Sequence, residues 1–162
     1  MPGRPHQSAL RKGRASTPGA WYTVTSCVLD REPRLIADPW RPALDLGPPS
    51  AIVDALRWLH SHGRGFCRGY VVMPDHVHWM IELGVGGDLP DLMRSFGRVT
   101  ARNLNRLQGR SGAVWQKGFY DHQLRDDEAR DRHLRYLAEN PVRRGYVARW
   151  QEWPWTAIYP DW

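Results

Sequence analysis

Residues 70–83 read Tyr70-Val-Val-Met-Pro-Asp-His-Val-His-Trp-Met-Ile-Glu-Leu83. Apolar runs lie on both sides of a Pro74-Asp75 break. Phe66 to Met73 is expected to form one strand and His76 to Leu83 the next, joined as a β-hairpin. Side chains alternate between the faces of a strand, so His76 and His78 share one side while Val77 points into the opposite layer. Two neutral imidazoles side by side suit one divalent metal. They equally suit an ordinary pair of hydrogen-bonded histidines. Asp75 is a supporting candidate, able to orient one ring. His60-Ser61-His62 has the same spacing but falls at a helix end, where two residues lie about 200° apart around the axis. That pair is read as solvent-facing or capping.

Working outward, Trp21 to Leu29 is rich in β-branched and aromatic residues and reads as a strand. Residues 30–49 hold five prolines and read as an irregular connection. Ser50 is placed to cap a helix running to about Leu59, with Ile52, Leu56 and Leu59 on one face. A second helix starts near Asp88, with Pro90 in its first turn and an apolar stripe through Leu89, Leu92, Met93, Phe96, Val99 and Leu107. Val114 to Arg125 reads as a strand bent at Gly118. Asp126-Asp127-Glu128 opens a third helix that Asn140-Pro141 stops. The tail to Trp162 reads as irregular and carries four tryptophans, most of them expected to pin it to the core. The order β-α-β-β-α-β-α predicts an α+β, ferredoxin-like sandwich: a mostly antiparallel sheet with helices packed on it and one extra C-terminal helix.

On that last helix, Tyr136 and Asn140 are four residues apart and share a face. They fit a packing tyrosine and a capping asparagine. They also fit a nucleophile toward phosphorus and an oxygen donor beside it. A phenol pKa near 10 would need help from a cation. Tyr120, beside His122, is a rival nucleophile, with core or support the expected role. His122 is a supporting candidate of the same kind.

The chain has 162 residues, a formal charge of +6 and nine tryptophans. Arginine supplies 21 of the 23 basic residues. That balance suggests a nucleic-acid partner, although codon bias would also favour Arg over Lys. The basic residues are segregated. Residues 1–20 carry four of them, 94–110 five and 141–150 three, with no acid in any of these stretches. Residues 1–20 read as a flexible basic arm, and 21–162 as a single domain. Arg94, Arg98, Arg102, Arg106 and Arg110 recur every fourth residue, a row that is either a solvated helix face or a phosphate track. Arg143 and Arg144 belong to the second cluster of candidate DNA contacts. No apolar run is long enough for a transmembrane helix, and the N-terminus lacks a secretory h-region. Two cysteines without C-x-x-C spacing fit reduced thiols in a cytoplasmic protein, and a nucleic-acid partner would make it nucleoid-associated.

Four segments occur in one order: Tyr22-Thr-Val-Thr-Ser, Tyr70-Val-Val-Met-Pro-Asp-His-Val-His78, Trp115-Gln-Lys-Gly-Phe-Tyr-Asp-His122 and Tyr136-Leu-Ala-Glu-Asn-Pro-Val-Arg-Arg-Gly-Tyr-Val147. Together they resemble the Y1 transposases of the IS200/IS605 type, and most closely their REP-associated branch. The resemblance covers roughly residues 21–157. It implies an HUH single-strand endonuclease fold, with His76, His78 and Asn140 as metal ligands and Tyr136 as nucleophile. It implies Mg²⁺ or Mn²⁺, and a single-stranded DNA partner carrying a REP-like hairpin. The reaction implied is cleavage and strand transfer through a 5′-phosphotyrosine, by a monomer or homodimer. Asn140 stands where IS200-type relatives have Gln, which points to the REP-associated branch. Residues 30–49 match nothing in the family, and Arg143-Arg144 is more basic than its usual pattern. The alternatives are a hairpin-binding protein of the same fold without catalysis, or another HUH nickase.

Overall fold

The computed structural model describes residues 16–44 and 46–162. Five strands form one antiparallel sheet: β1 (Trp21–Cys27), β2 (Gly65–Val72), β3 (His76–Leu83), β4 (Tyr120–Leu124) and β5 (Thr156–Ile158). Their order is β4-β1-β3-β2-β5. The first four strands make the expected ferredoxin-like sandwich, and β5 extends it at the β2 edge.

Alternation along β3 divides the molecule. Val77, Trp79 and Ile81 enter the main core, where helices α1 (Gly47–Ser61) and α2 (Leu89–Gln108) cover the sheet. Ile52 and Leu56 of α1 and Leu92 and Phe96 of α2 are buried there. Each such side chain contributes about 1.5–3 kcal/mol. His76, His78 and Met80 face the other way, toward helix α3 (Asp127–Ala138). This second core is small: Leu134 of α3 packs with Met80 and Leu124, flanked by Trp21.

Gly69 lets α3 approach the sheet. A Cβ there would lie 2.6 Å from Leu134 Cδ2 and 3.3 Å from the Ala157 carbonyl oxygen. Gly69→Ala is therefore expected to cost about 1–3 kcal/mol in urea unfolding. In a Leu134→Ala background that penalty should shrink, because the clashing methyl is gone. Additive costs would show that the contact does not set the helix position.

Several boundaries differ from the sequence reading. The first helix starts at Gly47, three residues before Ser50, with Pro48 and Pro49 in its opening turn. Proline is tolerated there because the first N–H groups have no intrahelical acceptor. The strand expected over 114–125 is only Tyr120–Leu124. Gly118 adopts a left-handed φ of 84°, and upstream of it a single bridge joins Val28 to Trp115. The third helix ends at Ala138, two residues before the expected stop at Asn140, and a one-turn helix, α4 (Asn140–Arg143), follows with Pro141 in its first turn. The tail is partly regular, since β5 pairs with Gly69–Val71. Trp153 is buried and its indole N–H donates to the Val72 carbonyl at 2.9 Å. Trp155 and Trp162 also pack against the main core, as expected of the tail tryptophans.

Between β1 and α1 the described residues form only two short 3-10 turns, Leu29–Arg31 and Pro42–Leu44, yet the segment is anchored. Leu35 and Ile36 are fully buried, and Arg34 bonds Asn105 and Gln108 of α2. Residues 1–15 of the expected arm lie outside the described residues. Ser16 at its inner end bonds Asp88 and the Leu89 N–H. Among the described residues no helix is long and apolar enough to cross a membrane.

Candidate active site

On the α3 face, cross-strand register sets Tyr120, Thr25 and His78 in one row across β4, β1 and β3. Cys27 and His76 form the next pair along. His76 is buried and its Nδ1 lies 2.6 Å from Asp75 Oδ1. Arg31 Nη2 lies 3.5 Å from the same nitrogen. The shorter contact sets the ring's orientation: Nδ1 faces the carboxylate and Nε2 is turned toward Asn140. His78 Nδ1 lies 2.5 Å from Thr25 Oγ1, which holds that ring in the same way. Burial, then the charges of His76, Arg143 and Arg31, push the His78 pKa down to about 3. His78 is thus neutral at physiological pH, as a ligating imidazole must be. Burial alone would raise the Asp75 carboxyl, but the His76 hydrogen bond and the His76 and Arg31 charges outweigh it and hold it below the usual range.

Asn140 begins α4, buried, with its side-chain amide 3.5 Å from His76 Nε2. The oxygen and nitrogen of an amide exchange by a flip, so Asn140 is able to present an oxygen acceptor at that position. Tyr136 sits one turn earlier and is 62 % exposed. The Arg143 guanidinium lies 3.7 Å from its ring centroid and donates to the Tyr136 carbonyl at 2.7 Å. The near-continuity of α3 and α4 keeps Tyr136 and Asn140 on one side despite Pro141.

His76, His78, Asn140 and Tyr136 line one cleft of about 690 Å³ within a single chain, joined there by Arg143 and Arg144. Tyr120 lines the same cleft and is 45 % exposed, so it is not the core residue expected from its strand position. His122 is not brought there. It opens onto a separate pocket and stacks on His133 with ring centroids 5.7 Å apart. Asp75 touches the site through His76 and Arg31.

Two site residues escaped the sequence reading. Thr25 would have been found from the register of β1 on β3. Arg31 carried no signal. Its Nε pairs with Asp75 Oδ2 at 2.8 Å and its Nη1 donates to Cys27 Sγ at 2.8 Å. Asp30 and Arg31 both adopt left-handed φ, 56° and 57°, an arrangement costing on the order of 1–2 kcal/mol per residue. That turn carries the Arg31 guanidinium into the cleft. Cys27 is no rival nucleophile, because burial raises its thiol pKa against the opposing pull of Arg31.

The α2 arginine row lies across the sheet from this cleft, because α2 covers the main core. Arg94, Arg98, Arg102 and Arg106 are all exposed. Arg94 pairs with Asp91, and Arg110 pairs with Glu32 at 2.6 Å. Among the described residues no carboxylate pairs with Arg98, Arg102 or Arg106. Of the candidate DNA contacts, only Arg143 and Arg144 stand at the cleft.

A ferredoxin-like sheet presenting two histidines from one strand to a tyrosine on a facing helix defines an HUH-type fold. The family model described as "Transposase IS200 like" matches residues 59–140. A Haemophilus influenzae relative assigned to the REP-associated tyrosine transposases is 32 % identical over 129 residues, 69 % of this chain and 73 % of its own. The REP-associated tyrosine transposase of Escherichia coli K12 is 28 % identical over 92 residues, 57 % of this chain and 53 % of its own. The solved structure of a REP-associated tyrosine transposase bound to a REP hairpin superimposes with a TM-score of 0.64 at 22 % identity, covering 92 % of this chain and 88 % of that one. The chain belongs to the IS200-like transposase family and, within it, to the REP-associated tyrosine transposases.

Proposed function

We propose that this chain cleaves and rejoins single-stranded DNA beside a REP-like hairpin, with Tyr136 as nucleophile and a divalent metal held by His76, His78 and Asn140. The observation that carries this reading is the convergence of those four side chains on one arginine-lined cleft. The donor set suits Mg²⁺ or Mn²⁺. The family resemblance implies the Asn140 amide oxygen as third donor, and that amide lies 3.5 Å from His76 Nε2. His76 Nε2 is turned toward Asn140, and the neutral ring of His78 suits ligation. When bound, the metal supplies charge stabilisation at the scissile phosphate.

The chain's own residues do the rest. Asp75 and Thr25 hold the imidazoles in orientation. Arg143 fixes the Tyr136 ring. Tyr136 Oη forms a bond to phosphorus as the bond from phosphorus to the 3′-oxygen breaks. The proton lost by the phenol is balanced by one gained by the 3′-oxygen. One phosphodiester replaces another, so rejoining requires no nucleotide cofactor.

The test is a labelled single-stranded REP-like hairpin incubated with Mn²⁺, Mg²⁺ or EDTA and run on a denaturing gel. A covalent adduct is expected with metal and none with EDTA. Hairpin binding without any adduct would favour the non-catalytic alternative.

The arginine row makes a separate prediction. Arg98→Ala with Arg102→Ala should make the salt dependence of hairpin binding shallower by about 1.4–1.8 in log–log slope, as expected for two lost phosphate contacts. Arg94→Ala should change it less, because Asp91 already neutralises that charge. An unchanged slope in the double variant would remove the row from the DNA path.

A further inference from the structure

We infer that Trp40 is a stacking platform for one unpaired nucleobase of the DNA, a subsite on the connection that precedes the residues matched by the family model. This inference rests on the single-stranded DNA reading above. Trp40 is 67 % exposed, yet the loop bearing it is held on all sides. Leu35 and Ile36 anchor its start in the core. Asp38 turns the chain, its carboxylate accepting the Trp40 N–H at 3.0 Å and its carbonyl the Arg41 N–H at 3.1 Å. The Pro42 carbonyl accepts the Trp155 indole N–H at 2.7 Å. Pro39 and Pro42 restrict the backbone on either side. A large aromatic ring is thus kept in solvent at a set position.

The ring is also braced from below. Tyr146 meets it edge-on, with centroids 5.4 Å apart. Tyr146 in turn stacks on buried Trp153 at 5.6 Å. The ladder is tied along the chain to a cleft residue: the Tyr146 N–H donates to the Pro141 carbonyl, one residue from Asn140. The occupant follows from what surrounds the ring. Arg41 next to it and Arg144 at the cleft are exposed cations, and residues 141–150 hold no acid. An exposed aromatic ring next to Arg41, tied through Tyr146 to the segment that carries Arg144, fits a base whose backbone runs past those charges. A protein partner would more often want the ring set in an apolar rim. Leu44 and Leu46 are exposed farther along the loop, so a second copy of this chain is the competing occupant.

Hairpins with single-stranded flanks, each carrying one abasic site at a different flank position, test this by fluorescence anisotropy. For the unaltered protein, one position should stand out, its abasic form binding about 5- to 150-fold more weakly. In Trp40→Ala that sensitivity should vanish, and Trp40→Tyr should restore part of it. Trp40→Ala weakening all oligonucleotides equally, or none, would overturn the subsite. So would a change of elution volume in Trp40→Ala without DNA, which would make the loop a contact between copies. If the unaltered protein binds no hairpin at all, it is the parent reading that fails. If it binds but shows no coupling, only this inference fails.

Discussion

Tyr136→Phe should abolish the covalent DNA adduct while the protein still binds the hairpin. Phenylalanine keeps the ring on which Arg143 lies and removes only the oxygen that attacks phosphorus. Loss of a nucleophile removes the covalent route entirely, so adduct yield should fall roughly 10³-fold or more. Affinity should change by no more than the worth of one hydrogen bond, about 0.5–1.5 kcal/mol. The control is Tyr120→Phe. Tyr120 lines the same cleft and is also exposed, so an adduct that survives Tyr136→Phe and disappears in Tyr120→Phe would reverse the assignment. Denaturing gels of both variants, with anisotropy for binding, decide between them.

Trp153→Ala should be the most damaging of the stability changes. The side chain is 1 % exposed in the main core, and its N–H satisfies the Val72 carbonyl. Removing a buried indole costs about 3–5 kcal/mol in lost contacts and cavity. Against a typical total of about 5–15 kcal/mol, this leaves a domain near its unfolding threshold at 37 °C. Trp153→Phe should recover most of the packing and lose the hydrogen bond, so its cost should be about 1–3 kcal/mol. Urea unfolding of the two variants separates the terms. Equal costs would mean that the hydrogen bond, and not the volume, dominates. The damage should also reach the cleft, because Trp153 supports Tyr146, and Tyr146 is tied to Pro141 beside Asn140.

What could be read from the chain follows its periodicities. The His76-Val77-His78 alternation showed two imidazoles on one face because a strand repeats every two residues, whatever packs on it. Tyr136 and Asn140 were placed on one side by the four-residue helical repeat, and that relation survived the break at Pro141. The hairpin, both core helices and the sandwich architecture were legible for the same reason.

The missed features depend on contacts between distant parts of the chain. Three residues of β5 have too little pattern to read as a strand and exist because β2 offers an open edge. The α2 arginine row is adjacent to the proposed chemistry in sequence but lies behind the sheet, since only the apolar stripe decides which face a helix covers. His122 and His78 look alike as strand histidines, yet Thr25 and His76 lie near one and His133 near the other. Arg31 enters the cleft through two left-handed residues, a backbone choice that no local propensity favours and that tertiary contacts to Asp75 and Cys27 accompany. The sequence by itself determined the types of chemical group, their spacing within each element and the family. Only the tertiary structure decided which groups meet, because cross-strand register and helix docking are set by burial summed over the whole core.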